Sequence, residues 1–422
     1  MKIIAIILFV LTYVLLLTFP KIRAYIALAS ASLFVILGVL PVGKIFVTVE
    51  WNVILMIAGT MGIVSLFIES KMPALLADMI IKKTPNVKWA IISLSLFSGI
   101  ISAFVDNVAT VLMVAPVALT IAKKLKISPV PSIVAIAISS NLQGAATLVG
   151  DTTSILLGGY ANLNFLDFFF FKEKIGMFWI VQLGALTATL VLLYKFREDK
   201  QAINSIDKTE VKDYFPTILL VSMVVLLIAA SFIPDKPSAT NGLICVTLFA
   251  IGAIREAVKR RDSGVLLKAL KEIDYFTILL LAGLFIVVGG ITEAGIVDDI
   301  SKIFVQASND NIFVIYTLIV WASVLFSAFI DNIPYVATML PVAAGIANIL
   351  HIEPYILYFG LLAGATLGGN LTPIGASANI TALGILRKDG YEVSAKEFMK
   401  ISVPFTLAAV TVGYILIWII WR

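Results

Sequence analysis

Long apolar runs separated by short basic clusters make up most of the chain. The runs are 16 to 20 residues long, about the length that an α-helix needs to cross a bilayer. No series of ten-residue segments alternates in the manner of a membrane barrel. Ten spanning helices are expected, at 2–19, 24–41, 51–68, 131–158, 176–196, 215–233, 238–254, 275–291, 355–386 and 401–420. The run after Lys2 leads through Pro20, Lys21 and Arg23 straight into the next one, with no cleavage site between, so it is read as the first span. Two further apolar stretches, 89–122 and 312–350, carry Asp106-Asn107 and Asp331-Asn332 near their middles. In the first of these Asp106 is the sole formal charge.

Composition agrees with this pattern. The 422 residues are 60% hydrophobic and 14% charged, whereas soluble domains are nearer half apolar and a quarter charged. The single Cys245 excludes an internal disulfide and a cysteine-built metal site. The net charge of +5 would suit nucleic acid, but the placement of the charges points to topology instead. If each Asp-Asn stretch enters and leaves on one side, 24 of the 31 Lys and Arg residues share a face. The other seven are Lys2, Lys44, Lys172, Lys174, Lys236, Lys302 and Arg422. The crowded face is expected to be cytoplasmic, with both termini external, in a protein of the cytoplasmic membrane. The expected macroscopic partner is the lipid bilayer, not nucleic acid.

The chain also repeats. "SAFVDN" at 102–107 recurs as "SAFIDN" at 327–332, a shift of 225. At the same shift "GAATLVGDTTSI" (144–155) meets "GNLTPIGASANI" (369–380). At a shift of 224, Glu50 and its following helix meet Asp274 and its own, and Glu69 meets Glu293. Each half holds five spans and one hairpin, and an odd number of crossings turns the second half upside down, which is the plan of secondary transporters. The expected fold is an all-α polytopic membrane protein of two inverted repeats. Each repeat has five transmembrane helices plus one re-entrant hairpin, with broken helices at the midplane. The first repeat takes 1–196 (hairpin 89–122, broken helix 131–158), a cytoplasmic linker 197–214, and the second repeat 215–422 (hairpin 312–350, broken helix 355–386).

A carboxylate at mid-membrane costs roughly 2.5 kcal/mol or more against lipid, so Asp106 must face protein or water. Two short spans joined by an external turn and a re-entrant hairpin both satisfy the charge count. The second is favoured because Phe104, Val105, Val108 and Ala109 flank the pair with no polar loop, and each arm is only about 16 residues long. Glycine and proline in the two broken spans favour unwinding. Their Thr, Asn and Ser oxygens, with the freed ends of half-helices, hold ions. The expected substrate- and ion-binding set is Asp106, Asn107, Asn141, Thr147, Gly150, Asp151, Thr152, Thr153, Asp331, Asn332, Asn370, Thr372, Gly375, Ser377 and Asn379. Na⁺ is placed at Asp106, Asn107, Asp331 and Asn332.

No Lys, Arg or His falls within the Asp-Asn stretches or the broken spans. Carboxylates left without a basic neighbour are protonated, or hold a cation, or exchange one for the other. The coupling ion is therefore H⁺ or Na⁺, and no other cofactor is expected. Simpler roles exist for the same residues: Asp106 and Asp331 suit the caps of the second hairpin arms, and Glu69 and Glu293 reach the interface at span ends. A channel would need a polar-faced pore helix, which the sequence lacks. An enzyme is not expected, since the lone His351 sits in a loop and no catalytic grouping accompanies it.

"SAFVDNVATVLMVAPV" with "NLQGAATLVGDTTS", then "SAFIDNIPYVATMLPV" with "LGGNLTPIGASANI", resemble the ion-transporter superfamily. The branch they resemble most is that of arsenite permeases, NhaD-type sodium–proton antiporters and the melanosomal P protein, with a citrate-transporter-like fold. The resemblance covers nearly the whole chain. It implies a homodimer, with a scaffold domain and a moving transport domain that carries the hairpins. It makes Asp106-Asn107 and Asp331-Asn332 the hairpin tips, and 147–153 and 372–379 the broken-helix loops. The sequence departs from related patterns at Asp106-Asn107-Val108 and Asp331-Asn332-Ile333, where the dicarboxylate branch has Ser-Asn-Thr. It departs again at Gly150-Asp151-Thr152-Thr153-Ser154, where the close branch has Gly-Asp-Pro-Pro-Asn. The expected function is ion-coupled secondary transport, by H⁺ or Na⁺, of a small inorganic solute such as arsenite. The alternatives are Na⁺/H⁺ antiport and Na⁺-coupled transport of an organic or inorganic anion of the citrate or dicarboxylate kind. A multivalent anion would meet several acidic groups with no countercharge beyond a co-bound cation.

Overall fold

The computed structural model describes residues 1–202, 209–211, 213–260 and 270–422. Residues 203–208 and 212 of the expected linker, and 261–269 of the basic segment after the seventh span, lie outside the described residues. The first half contributes helices α1 (Lys2–Thr18), α2 (Arg23–Ile36), α3 (Ile45–Thr48), α4 (Trp51–Glu69) and α5 (Met72–Ile81). It continues with α6 (Val87–Ser102), α7 (Asn107–Leu125), α8 (Val130–Gln143), α9 (Thr152–Tyr160) and α10 (Met177–Lys195). A two-stranded hairpin, β1 (Phe170–Phe171) and β2 (Lys174–Ile175), precedes α10. The second half contributes α11 (Phe215–Ser231), α12 (Thr240–Arg260), α13 (Tyr275–Glu293), α14 (Ile296–Ala307) and α15 (Ile312–Ser327). It ends with α16 (Asn332–Leu350), α17 (Tyr355–Gly368), α18 (Ser377–Lys388) and α19 (Ala395–Trp421).

Among the described residues seven helices are long and apolar enough to cross a membrane, or nine if each bent pair counts as one span. The bent pairs are α1 with α2, at 110°, and α14 with α15, at 117°. The expected spans 131–158 and 355–386 are each two short helices around a non-helical break, as glycine-rich midplane segments should be. Besides the four-residue α3, two further helices, α5 and α14, occupy stretches where the hydropathy pattern marks no element. Both start at repeat-equivalent residues in the left-handed region, Lys71 (φ 61) and Gly295 (φ 71). A helix too short to span leaves no mark in a spanning-length window.

Both hairpins are built from the same local chemistry. The first arms begin at Asn86 and Asn311, whose side chains accept the backbone N–H of Trp89 at 3.2 Å and of Phe313 at 2.9 Å. The second arms begin at Asp106 and Asp331, and end at Lys126 (φ 55) and His351 (φ 53), again repeat-equivalent.

Packing then crosses between the halves. The α2 helix lies on α13 and α12 lies on α4, the same exchange seen from each repeat. Close approach explains the glycines there: an added methyl at Gly283 would sit 2.7 Å from the Ala27 carbonyl carbon, and one at Gly59 would strike Cys245. Each first hairpin arm packs on the helix before the break of its own repeat (α6 on α8, α15 on α17). Each second arm packs on the helix after the break of the other repeat (α7 on α18, α16 on α9). The two hairpins and two breaks are thereby brought to one place.

Candidate functional site

Each hairpin tip is tied to the break of its own repeat by a threonine. Thr147 Oγ1 donates to the Ala103 carbonyl and Thr372 Oγ1 to that of Ala328. The same hydroxyls accept from Val149 N at 3.3 Å and Ile374 N at 3.4 Å, which holds the breaks in their non-helical path. Gly150 and Gly375 complete the joint. A methyl at Gly150 would lie 2.8, 3.0 and 3.1 Å from the carbonyl oxygens of Gly144, Ser102 and Ala103; at Gly375 the corresponding distances, to Gly369, Ser327 and Ala328, are 2.6, 2.7 and 2.8 Å. Ala103 and Val105 are each 1% exposed. The first tip is thus packed against the break of its own repeat, while the second arms α7 and α16, at 19 residues each, exceed the expected length of about 16 and are themselves among the seven helices of spanning length.

From the tips a polar network crosses between the repeats. Asn107 donates to Asn141 Oδ1 at 2.9 Å, and Asn141 donates to the Thr366 carbonyl at 2.7 Å. Thr153 and Thr366 share a hydroxyl contact of 2.9 Å. Asp151 accepts from Thr152 N and Thr153 Oγ1, each at 2.8 Å, and from Asn332 Nδ2 of the second tip at 3.3 Å. Asn370 reaches the Ile138 carbonyl at 2.8 Å. Asn379 bridges the second break by donating to the Gly369 and Thr372 carbonyls, both at 3.1 Å. Buried polar groups paired in this way hold irregular backbone at membrane depth, while the side-chain oxygens of Asn370 and Asn379 are buried with no hydrogen-bond partner among the described residues.

A cavity of about 560 Å³ opens beside this network. Of the expected site residues, Asp106, Asn107, Asp151, Thr152, Asn332 and Ser377 line it. Asn141, Thr147, Gly150, Thr153, Asp331, Asn370, Thr372, Gly375 and Asn379 do not; they form the framework behind the wall. Ser65, Glu272, Asp274 and Thr277 are lining residues that hydropathy and motif alone do not single out, and Glu69 is expected only as a span-end carboxylate. Asp274 had one signal, its repeat equivalence to Glu50. In the structure it caps α13, accepting Thr277 N at 3.1 Å and Thr277 Oγ1 at 2.6 Å. Glu69 meets Arg260 at 3.1 Å, in keeping with a span-end carboxylate.

The tip aspartates do cap their second arms. Asp106 Oδ2 accepts Val108 N at 3.0 Å and Ala109 N at 3.1 Å, and Asp331 Oδ1 accepts Ile333 N at 3.0 Å. Capping occupies one carboxylate oxygen in each case and leaves the other for a different partner. Here one sequence expectation is corrected: Asp331 does have a basic partner. Arg23, the first residue of α2, places Nη1 on Asp331 Oδ2, with the two side chains only 19% and 18% exposed. The pair joins residues 308 positions apart, so no local pattern reveals it. Asp106 Oδ1 has no hydrogen-bond partner among the described residues. Asp106 therefore offers a free carboxylate oxygen to the cavity, a donor suited to a proton or a hard cation such as Na⁺, and Asp151, whose oxygens accept from Thr152, Thr153 and Asn332, lines the same wall.

A second, smaller cavity of about 260 Å³ lies toward the opposite face, among Lys44, Glu50, Tyr160 and Glu293. Its walls are the repeat equivalents of the first. Phe285, Val288, Gly289 and Glu293 stand where Met61, Val64, Ser65 and Glu69 stand, and Glu50 stands where Asp274 does. Lys44 holds Glu293 at 2.7 Å as Arg260 holds Glu69. Asp106 and Asp151 line the larger cavity and not this one.

Comparison with known proteins places the chain among transporters. The family model described as Citrate transporter (CitMHS) matches residues 13–364. An uncharacterised transporter of Mycobacterium tuberculosis is 31% identical over 99% of this chain and 98% of its own. The mouse P protein is 25% identical over 93% of this chain and 56% of its own. The crystal structure of the Alcanivorax borkumensis YdaH transporter superposes with a TM-score of 0.63 at 14% identity, covering 90% of this chain and 86% of that one.

Proposed function

The chain belongs to the citrate transporter family, and we propose that it is a cation-coupled carrier working by alternating access. The observation that carries this reading is the pair of cavities at opposite ends, walled by repeat-equivalent residues, of which the larger contains Asp106 and Asp151. Exchange of the two repeats' conformations would close the larger cavity and open the smaller onto the same site. A pore open at both ends needs no such pair. In this reading the protein is a homodimer of the cytoplasmic membrane, and the larger cavity opens to the cytoplasmic, lysine- and arginine-rich face.

Asp106 and Asp151 carry the coupling H⁺ or Na⁺. The cavity wall adds Asp274, Glu69 and Glu272 against the guanidinium of Arg23, which Asp331 already engages. A free multivalent anion meets net repulsion there. A small neutral inorganic solute such as arsenous acid does not, nor does exchange of Na⁺ for H⁺. The family model's description favours an anion of the citrate kind, which this charge balance admits together with a neutralising cation.

The test is flux in liposomes loaded with a pH-sensitive dye, with Na⁺, Li⁺, arsenite, and citrate with and without a divalent cation, each added in turn. Proton movement on one of these, saturable and lost in Asp106→Asn, is the expected result. Movement on Na⁺ or Li⁺ alone identifies an antiporter and removes the arsenite reading. Single-channel currents through the purified protein would overturn the carrier.

A further inference from the structure

The two hairpin tips share one construction and differ in what meets the second carboxylate oxygen. Both aspartates cap the second arm with one oxygen. Both tips are tied by a threonine and sealed over a glycine. At the first tip, Asp106 Oδ1 belongs to a residue that lines the larger cavity and has no hydrogen-bond partner among the described residues. At the second tip, Asp331 Oδ2 is held by Arg23 Nη1, and Arg23, not Asp331, lines the cavity.

We propose that Arg23 is a built-in counter-cation: its guanidinium holds, at the second tip, the place that a mobile monovalent cation takes at an unpaired tip carboxylate. The proposal rests on the carrier reading above and fixes which tip loads the coupling ion, namely the first. A guanidinium suits a permanent role because it stays charged at any physiological pH. Its position is fixed by the fold. Arg23 starts α2 directly after the Pro20 turn, and α2 is clamped to α13 where Ala27 meets Gly283. Its guanidinium carbon stands 5.9 Å from the centre of the Phe276 ring. Among the described residues the second repeat supplies no counterpart. The helix that takes the place of α2 there, α12, carries no Lys or Arg before Arg255, and Arg255 is spent on Asp213, at 2.7 Å. The inequality of the tips is thus a property of the sequence of α2 and not of the hairpins.

The experiment is a count of sodium ions bound per chain, by equilibrium dialysis of the purified full-length protein with radioactive sodium at alkaline pH. Arg23→Gln is expected to bind one sodium more than the wild type. Arg23→Gln with Asp331→Asn is expected to lose that added ion, and Arg23→Lys to match the wild type. The proposal is overturned if folded Arg23→Gln gains none, or if the gained ion persists without the Asp331 carboxylate. The double variant strands no buried charge, so it tests the idea even where the single variant fails to fold. A double-variant count below the wild type places the mobile cation at Asp331 and also overturns the proposal. The carrier reading is judged separately, by the wild-type count and its fall in Asp106→Asn: a gain in Arg23→Gln over a wild type that binds none upholds Arg23 and sinks coupling by sodium.

Discussion

Asp106 and Asp331 occupy equivalent positions in the two repeats, and almost everything around them is duplicated. The caps Asn86 and Asn311, the left-handed ends Lys126 and His351, and the ties Thr147 and Thr372 recur in both. The charge pairing at the tips and breaks does not recur. Asp331 carries Arg23, Asp106 carries no basic partner in the described structure, and Asp151 of the first break has Ala376 at the equivalent position of the second. Inverted repetition therefore preserves the backbone devices that keep irregular chain at membrane depth. The ionisable groups are free to diverge, because they set what is bound and not whether the hairpin forms.

That contrast can be broken first at the aspartates themselves. Asn caps a helix about as well as Asp, so Asp106→Asn should unfold within about 1 kcal/mol of the wild type while driven flux falls to background. Asp331→Asn leaves the Arg23 charge without its partner, a larger loss of up to about 3 kcal/mol, since the pair is only partly buried. Denaturation in detergent alongside liposome flux should show this crossing of effects; equal stability loss in both variants would put the tips back on the same footing. The shared framework should answer equally in the two halves. Gly150→Ala and Gly375→Ala each push a methyl against three carbonyl oxygens, and both should lose about 1–3 kcal/mol and expression with it. Thr147→Val and Thr372→Val strand a buried carbonyl each, at about 1–2 kcal/mol. A much larger effect in one member of either pair would contradict the duplication.

The smallest effect separates the two arginines that open and close the comparison. Arg23 serves the tip, whereas Arg255 of α12, with Lys259, meets Asp213 just before α11. The Arg255 guanidinium, with Lys259 beside it, holds the Asp213 carboxyl well below the usual carboxylate range. A depressed carboxylate stabilises the fold above its ordinary pKa, near 4, and that contribution is lost as the pH falls below it. With solvent screening it amounts to about 1 kcal/mol or less. Asp213→Asn should flatten this part of the acid melting profile and leave sodium binding unchanged.

Hydropathy and the repeat arithmetic carried a great deal by themselves. They located the two Asp-Asn turns, both breaks and the inverted plan, because apolar length and the identity of a motif are local properties of a chain. Tertiary structure alone decided three things. It added α5 and α14, too short and amphipathic to register as spans. It sorted the fifteen expected site residues into a cavity wall led by Asp106 and Asp151 and a framework led by Thr147 and Thr372. It also brought Arg23 to Asp331 across 308 positions. An ion pair is a meeting of surfaces, and which surfaces meet depends on α2 lying against the third long helix of the other repeat, a contact that no pattern within either segment encodes.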